Sequence, residues 1–119
     1  MVRFFALLFG IALIFVGVAG YLPQFMTDGL LFGYFQVDSM HNMVHLATGV
    51  LAILAAGRAG LASTFFKLFG LIYAAVAFAG FYYNGDLLMM QMNQADNILH
   101  TVIAVVALYF GFFAGKRSA

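Results

Sequence analysis

The chain has 119 residues, of which 66% are hydrophobic and only 8% are charged, and its formal net charge is +1. This composition is typical of a protein embedded in a lipid bilayer, and it includes no basic cluster that would bind nucleic acid. The absence of cysteine excludes both disulfide bonds and thiolate ligands for a metal.

Four long apolar segments predict four transmembrane helices and therefore an all-α fold. The expected helices are approximately residues 4–22, 39–56, 64–82 and 94–114, within a single transmembrane domain of residues 1–119. The second and fourth segments reach the length of a spanning helix only if their polar first turns are included. The short connections favour an integral membrane four-helix bundle.

The first helix has small residues on one face, which predicts close packing against another helix. These residues are Ala6, Gly10, Gly17 and Gly20. Pro23 ends the helix, and an apolar, aromatic link of residues 24–38 follows. The link is expected either to lie on the membrane surface or to form a short hairpin around Gly29 and Gly33.

The second half of the chain repeats the pattern of the first half. In the second helix a polar pair leads into a stripe of small residues, and the fourth helix has the same arrangement. The stripes consist of His41, His45, Gly49, Ala52 and Ala56, and of Asp96, His100, Ala104, Ala107, Gly111 and Gly115. The pattern predicts two tandem helical hairpins, residues 1–57 and 61–119, related by a pseudo-twofold axis along the membrane normal. The second and fourth helices are expected to face each other.

Basic residues lie at the two termini and near the second connection, whereas acidic residues lie in the first and third connections. The basic residues are Arg3, Arg58, Lys67, Lys116 and Arg117, and the acidic residues are Asp28, Asp38, Asp86 and Asp96. Because basic residues are enriched on the cytoplasmic side, this distribution predicts a multi-pass protein of the cell inner membrane with both termini in the cytoplasm. The polar first turns of the second and fourth helices then lie near the outer face.

Residues four positions apart share a face of a helix, so His41 projects with His45 and Asp96 projects with His100. If the pseudo-twofold relation holds, the two pairs converge near the outer end of the bundle. Three imidazoles and one carboxylate are a suitable ligand set for Zn²⁺, and imidazole also binds copper. We therefore expect these four residues to form a site for a transition-metal ion.

Other interpretations of the polar residues remain open. The same groups are typical of a hydrogen-bonded cluster that holds two membrane helices together without a metal. Asn42 and Asn97 are candidates for hydrogen bonds around the site. His45 and His100 are alternatively a pair of ligands for a haem or a chlorophyll.

The methionines other than Met1 lie near the outward ends of the predicted helices. They are Met26, Met40, Met43, Met89, Met90 and Met92. Thioethers together with imidazoles favour Cu(I). The alternative is that these side chains are flexible apolar fillers at an interface.

No catalytic residues are expected, since the chain has no Ser-His-Asp pattern, no Gly-rich phosphate loop and no glutamate. The leading hypothesis is binding of Zn or Cu in the membrane. The alternative is a non-catalytic accessory subunit of a larger membrane complex, since the Phe-rich helices and the apolar link offer surface to a partner. A homodimer through the faces of Gly10 or Gly70 is a further alternative.

Two short motifs resemble those of a known bacterial family. They are His-Asn-x-Val-His-Leu-x-x-Gly, from His41 to Gly49, and Asp-Asn-x-Leu-His, from Asp96 to His100. The family consists of small four-helix integral membrane proteins of unknown function, and the resemblance covers most of the chain. It implies the four-helix fold and singles out the four candidate ligands, but it implies no activity. The long aromatic link after the first helix departs from the family pattern.

Overall fold

The structure, a computed structural model, describes residues 1–87 and 90–113. Within these ranges the chain forms four α-helices, which confirms the all-α class. They are α1 (Val2–Ala19), α2 (Ser39–Ala55), α3 (Ala59–Tyr82) and α4 (Gln94–Phe112). Some predictions lie outside the described residues, namely those for Met89, Gly115, Lys116, Arg117, and the ends of the expected helix 94–114 and repeat unit 61–119.

Three of the helices in the described ranges are long and apolar enough to cross a membrane. They are α1, α3 and α4, with 18, 24 and 19 residues. The apolar helix α2 is shorter, with 17 residues. At a rise of 1.5 Å per residue α2 is about 26 Å long, slightly less than the hydrocarbon core of a bilayer. Its polar first turn is part of this length, as the sequence indicates.

The boundaries of α1 and α3 differ from the expected ones. Helix α3 begins at Ala59 rather than near residue 64, because Arg58 is extended and the chain turns into the helix directly after it. Helix α1 ends at Ala19, three residues before the expected position. The next residues form tighter turns, in which the Tyr21 amide donates to Val18 and the Leu22 amide donates to Ala19.

The link between α1 and α2 forms the short hairpin that was one of its two expected conformations. A 3₁₀ turn at Pro23–Phe25 leads into the antiparallel strands β1 (Met26–Thr27) and β2 (Leu30–Leu31). The two residues between the strands, Asp28 and Gly29, have φ angles of 54° and 79°. Two successive positive φ angles define a type I′ turn, which matches the twist of a two-residue hairpin.

The helices pack as two pairs, α1 with α2 and α3 with α4. Glycines bring the backbones of each pair into contact. A Cβ atom at Gly10 would lie 2.7 Å from the carbonyl oxygen of Gly49, and a Cβ atom at Gly49 would lie 2.8 Å from that of Gly10. A Cβ atom at Gly70 would lie 3.0 Å from the backbone nitrogen of Leu108. Small residues therefore allow close helix contact, as is common in membrane bundles.

The end of the bundle near Arg58 contains an apolar core that joins the two pairs. The core consists of Val2, Ala6, Ala52, Ala62, Phe65, Phe66 and Ala107. Beside it, the rings of Phe5 and Phe110 stack with centroids 4.5 Å apart, which links α1 to α4. Arg3 donates from Nε to the carbonyl of Ala56, 2.8 Å away, and so caps the C-terminus of α2. The histidines lie at the opposite end, called the histidine end below.

The contact of Gly49 with the backbone of α1 predicts that Gly49→Ala destabilises the protein. The added methyl group would meet the Gly10 carbonyl oxygen and lie 3.0 Å from the Ile14 nitrogen, so the helices would have to separate. Overpacking of this kind costs about 1–3 kcal/mol. A lower melting temperature in mild detergent, followed by circular dichroism, is expected. Gly60→Ala is the matched control, because nothing lies within 4 Å of that position. Equal melting temperatures for the two variants would contradict the packing.

Candidate metal centre

The structure brings the three histidines together at the histidine end. The ring centroids are 4.5 Å apart for His41 and His45, 5.3 Å for His41 and His100, and 5.8 Å for His45 and His100. All three side chains are buried, with at most 2% of their surface exposed. One ring nitrogen from each lies within 4.8 Å of the others. The convergence of α2 and α4 that the sequence predicts is thus present for the imidazoles.

The starts of α2 and α4 fix the histidines in place. The Asp38 carboxylate caps α2 and accepts a hydrogen bond of 2.8 Å from the backbone N–H of His41. Helix α4 begins with a capping box, in which the Asn93 side chain accepts from the Asp96 N–H and the Asp96 side chain accepts from the Asn93 N–H. Both motifs satisfy amides that a helix N-terminus leaves without a partner. The first turns are therefore well defined.

A backbone carbonyl sets the tautomer of His41. Its Nδ1 lies 3.1 Å from the carbonyl oxygen of Gln36. Since a carbonyl oxygen only accepts, Nδ1 carries the proton and donates it. The lone pair of His41 therefore lies on Nε2, which faces Nε2 of His100 at 3.4 Å. A hydrogen bond from the second ring nitrogen to a backbone carbonyl is also the usual way of orienting a histidine that binds a metal.

Asp96, the fourth expected ligand, has a different set of contacts. Its Oδ2 accepts hydrogen bonds from the backbone N–H of Asn93 at 2.9 Å and of Gln36 at 3.0 Å. Among the described residues, the group of converging donor atoms contains the three histidines and does not contain Asp96. The carboxylate instead holds Gln36, whose carbonyl orients His41. Asp96 is therefore connected to the histidines through one intervening backbone unit.

Asn42 and Asn97 are buried, and each lies against a glycine of the neighbouring helix. A Cβ atom at Gly20 would overlap the Asn42 amide, and a Cβ atom at Gly80 would overlap the Asn97 amide. Within the described part of the chain, neither Oδ1 atom has a hydrogen-bond partner. The two asparagines therefore occupy the contacts between paired helices at the histidine end, and their expected hydrogen bonds around the site stay a prediction.

Several imidazole nitrogens lack a partner although they are buried. Three nitrogens, both of His45 and Nδ1 of His100, neither accept nor donate a hydrogen bond within the described residues. A buried polar group without a partner costs about 1–3 kcal/mol. A structural cluster of hydrogen bonds would satisfy these atoms, but the only bond between the rings is the 3.4 Å contact of His41 with His100, as far as the structure describes the chain. These three nitrogens are therefore available to a further hydrogen-bond partner or to a metal ion.

A small cavity of about 60 Å³ adjoins the three imidazoles. Tyr73 and Thr48 contribute hydroxyl groups to its wall, and the Tyr73 hydroxyl lies 3.2 Å from that of Thr48. Thr48 in turn donates to the Val44 carbonyl at 2.8 Å. Ligand pockets for small organic molecules are about 300–1,000 Å³. The cavity therefore suits an ion or a few atoms rather than a haem or a chlorophyll.

Sequence reasoning missed two contributors to this site. Gln36 acts through its backbone N–H and carbonyl, so its side-chain identity gives no signal. Tyr73 lies in the middle of α3 with its ring centroid 5.6 Å from that of His100. A tyrosine in the apolar central part of α3 was the available signal for Tyr73. Met92 was identified only as one of several methionines, and the structure places it beside the cavity.

The fold and the site define a small all-helical protein of membrane-like composition with a buried cluster of three histidines. Residues 3–113 match the model of the family described as Domain of unknown function (DUF4383), and the chain belongs to this family. The match agrees with the expected membership of an uncharacterised family, while it does not test the two short motifs. No curated protein and no solved structure was found to match the chain.

The contacts of Asp96 predict that Asp96→Ala destabilises the histidine end. The substitution would leave the Gln36 and Asn93 amides without their acceptor, at a cost of about 1–3 kcal/mol. Asp96→Asn is expected to have a smaller effect, because the amide oxygen can still accept both bonds. Melting temperatures in mild detergent measure the difference. Asp28→Asn, in the exposed turn of the hairpin, is the control. The assignment fails if Asp96→Ala melts at the same temperature as this control.

Proposed function

We propose that the protein binds a transition-metal ion, zinc or copper, through His41, His45 and His100. The observation that carries this proposal is the convergence of three buried imidazoles, since three of their six ring nitrogens have no hydrogen-bond partner among the described residues. A metal ion would accept one lone pair from each ring, and at His45 it would supply a partner to a ring nitrogen that has none among the described residues. Imidazole is a suitable ligand for both metals.

The geometry of the best-defined pair supports the proposal. In a tetrahedral site with metal–nitrogen distances of about 2.05 Å, two ligand nitrogens are about 3.3 Å apart. The observed distance between Nε2 of His41 and Nε2 of His100 is 3.4 Å. His45 lies one helical turn after His41, and since neither of its ring nitrogens has a hydrogen-bond partner among the described residues, either can provide the lone pair. Three protein ligands leave a fourth position open, as in metal sites that exchange a ligand.

The placement of the site in the membrane is part of the proposal. Two tandem hairpins related by a pseudo-twofold axis are supported by the pairing of α1 with α2 and of α3 with α4. They are also supported by the contacts of Asn42 with Gly20 and of Asn97 with Gly80. Together with the charge distribution, this arrangement supports an orientation with both termini in the cytoplasm and the histidine end near the outer face of the inner membrane.

The proposal predicts that His41→Ala, His45→Ala and His100→Ala each abolish metal binding. The protein is purified from membranes in mild detergent with a histidine-free tag, and zinc and copper are measured by mass spectrometry. One ion per chain is expected for the unchanged protein. Thr101→Ala is the control, because Thr101 is exposed and directly follows His100. The Asp96→Asn variant is expected to retain the ion. If Asp96 were a direct ligand, this variant would instead lose the ion.

Two outcomes would overturn the proposal. The first is a protein that takes up neither zinc nor copper after loading, with histidine variants that are only less stable. The second is an equal metal content in the protein and in all three histidine variants. Either result would leave the histidines as structural residues between α2 and α4.

The proposed orientation predicts opposite labelling of two introduced cysteines. The chain contains no cysteine, so each variant has a single thiol. Thr27→Cys in the hairpin is expected to react with a membrane-impermeant maleimide in intact cells. Gly60→Cys at the start of α3 is expected to react only after the membrane is opened. The reverse pattern would place the histidine end in the cytoplasm.

A further inference from the structure

The cavity beside the three histidines is bordered by methionines as well as imidazoles. Met90 and Met92, from the connection between α3 and α4, line it together with His41, His45 and His100. Met92 is buried, with 4% of its surface exposed. In contrast, Met40 and Met43 of α2 are 42% and 58% exposed. The methionines that the sequence groups together are thus separated by the fold, and Met92 lies with the imidazoles.

The backbone around Met92 is fixed relative to α2. The Met92 N–H donates to the Gly85 carbonyl at 2.8 Å. The preceding N–H, of Gln91, donates to Oδ2 of Asp38 at 3.0 Å. The other oxygen of the same carboxylate accepts from the backbone of His41 at 2.8 Å. One carboxylate therefore connects the segment that carries Met92 to the helix turn that carries His41.

Gly85 allows this close approach. It has a φ angle of 89°, and a Cβ atom there would overlap the Met92 carbonyl. Both features require glycine. The connection is therefore built so that residue 92 lies against the end of α3 and beside the cavity.

The other polar side chains near the cavity already have hydrogen-bond partners, so the Met92 thioether is the additional donor available to an ion. The Thr48 and Tyr73 hydroxyls are hydrogen-bonded to each other, and Thr48 also donates to a backbone carbonyl. Asp96 accepts two backbone bonds and is not a member of the donor group within the described residues. The donors available to an ion at the histidines are therefore neutral nitrogens and a thioether.

A neutral donor set in buried surroundings favours a monovalent ion. The cost of transferring an ion from water to a medium of low dielectric constant scales with the square of its charge. A monovalent ion therefore has about a quarter of the desolvation penalty of a divalent ion of the same size. Among the described residues, the donor group contains no carboxylate that would compensate the second charge of Zn²⁺. Among the ions that imidazole and thioether both bind, Cu(I) is the monovalent one.

We propose that the site is selective for Cu(I), with the Met92 thioether completing the coordination by His41, His45 and His100. This inference rests on the proposed metal site and adds the identity of the ion and of the fourth ligand. Binding transfers Cu(I) without a change of oxidation state, so no electron donor or acceptor is involved. Met90 also lines the cavity, but it is only partly buried and is not assigned as a ligand.

The test uses the complete chain in mild detergent, freed of metal and kept without oxygen in the presence of a reductant. Cu(I) affinity is measured by competition with a chromophoric Cu(I) chelator, and Zn²⁺ affinity by competition with a zinc chelator. We expect tighter binding of Cu(I) than of Zn²⁺. X-ray absorption of the Cu(I) protein should show both nitrogen and sulfur neighbours of the metal.

Met92→Leu removes the sulfur while conserving side-chain volume, so it is expected to fold normally. It should lower the Cu(I) affinity at least about tenfold, remove the sulfur signal and leave the Zn²⁺ affinity unchanged. Met43→Leu, at an exposed position of α2, is the matched control and should bind Cu(I) like the unchanged protein.

The outcomes separate this inference from the proposed function. Binding of Zn²⁺ through the histidines, without a preference for Cu(I) or an effect of Met92→Leu, would overturn the copper assignment and retain the metal site. Cu(I) binding with nitrogen neighbours only would overturn the role of Met92. If the unchanged protein binds neither Cu(I) nor Zn²⁺, both proposals are overturned together.

Discussion

Two carboxylates hold the histidine end together, and the imidazole cluster depends on them. Asp38 caps α2 and also accepts a backbone N–H from Gln91, in the connection between α3 and α4. Asp96 belongs to the cap of α4 and also accepts the backbone N–H of Gln36, in the connection between α1 and α2. Each carboxylate thus connects its own helix to the link between the two helices of the other pair. A charged acceptor shared by two amides at a helix N-terminus is a strong local constraint.

The two helix pairs, α1 with α2 and α3 with α4, need such ties because few other contacts hold them together at the histidine end. Within a bilayer, lipid tails solvate apolar helices as well as other helices do, so association depends on close packing and hydrogen bonds. Within each helix pair, glycines allow the close packing, as at the contact of Gly10 with Gly49. Between the two helix pairs, close backbone contacts join α3 to α1 and to α2. The described contacts of α2 with α4 are mainly between side chains, such as His41 and His100. The separation of α2 and α4 leaves room for the imidazoles and the cavity.

The sequence predicted the features that depend on periodicity, and it did not predict those that depend on backbone contacts. The spacing of His41, His45 and His100 within two similar helices indicated that the rings converge, and the fold brings them together. The same spacing cannot distinguish a carboxylate that binds a metal from one that caps a helix, because position N3 serves both purposes. Asp96 was therefore expected beside the histidines. Gln36 and the position of Met92 follow from the paths of the connections, for which the apolar sequence contains no periodic signal.

A metal at this site would do more than satisfy unpaired nitrogens. His41 and His45 belong to one hairpin and His100 to the other, so an ion bound by all three would bridge α2 and α4 where their backbones make few contacts. Binding free energy would then contribute to the stability of the folded bundle, since the unfolded chain has no preformed site. Neutral ligands would also suit such a shared site. When the ion dissociates, a site of neutral ligands contains no unpaired carboxylate. The metal-free protein would therefore avoid an isolated negative charge in an apolar cavity.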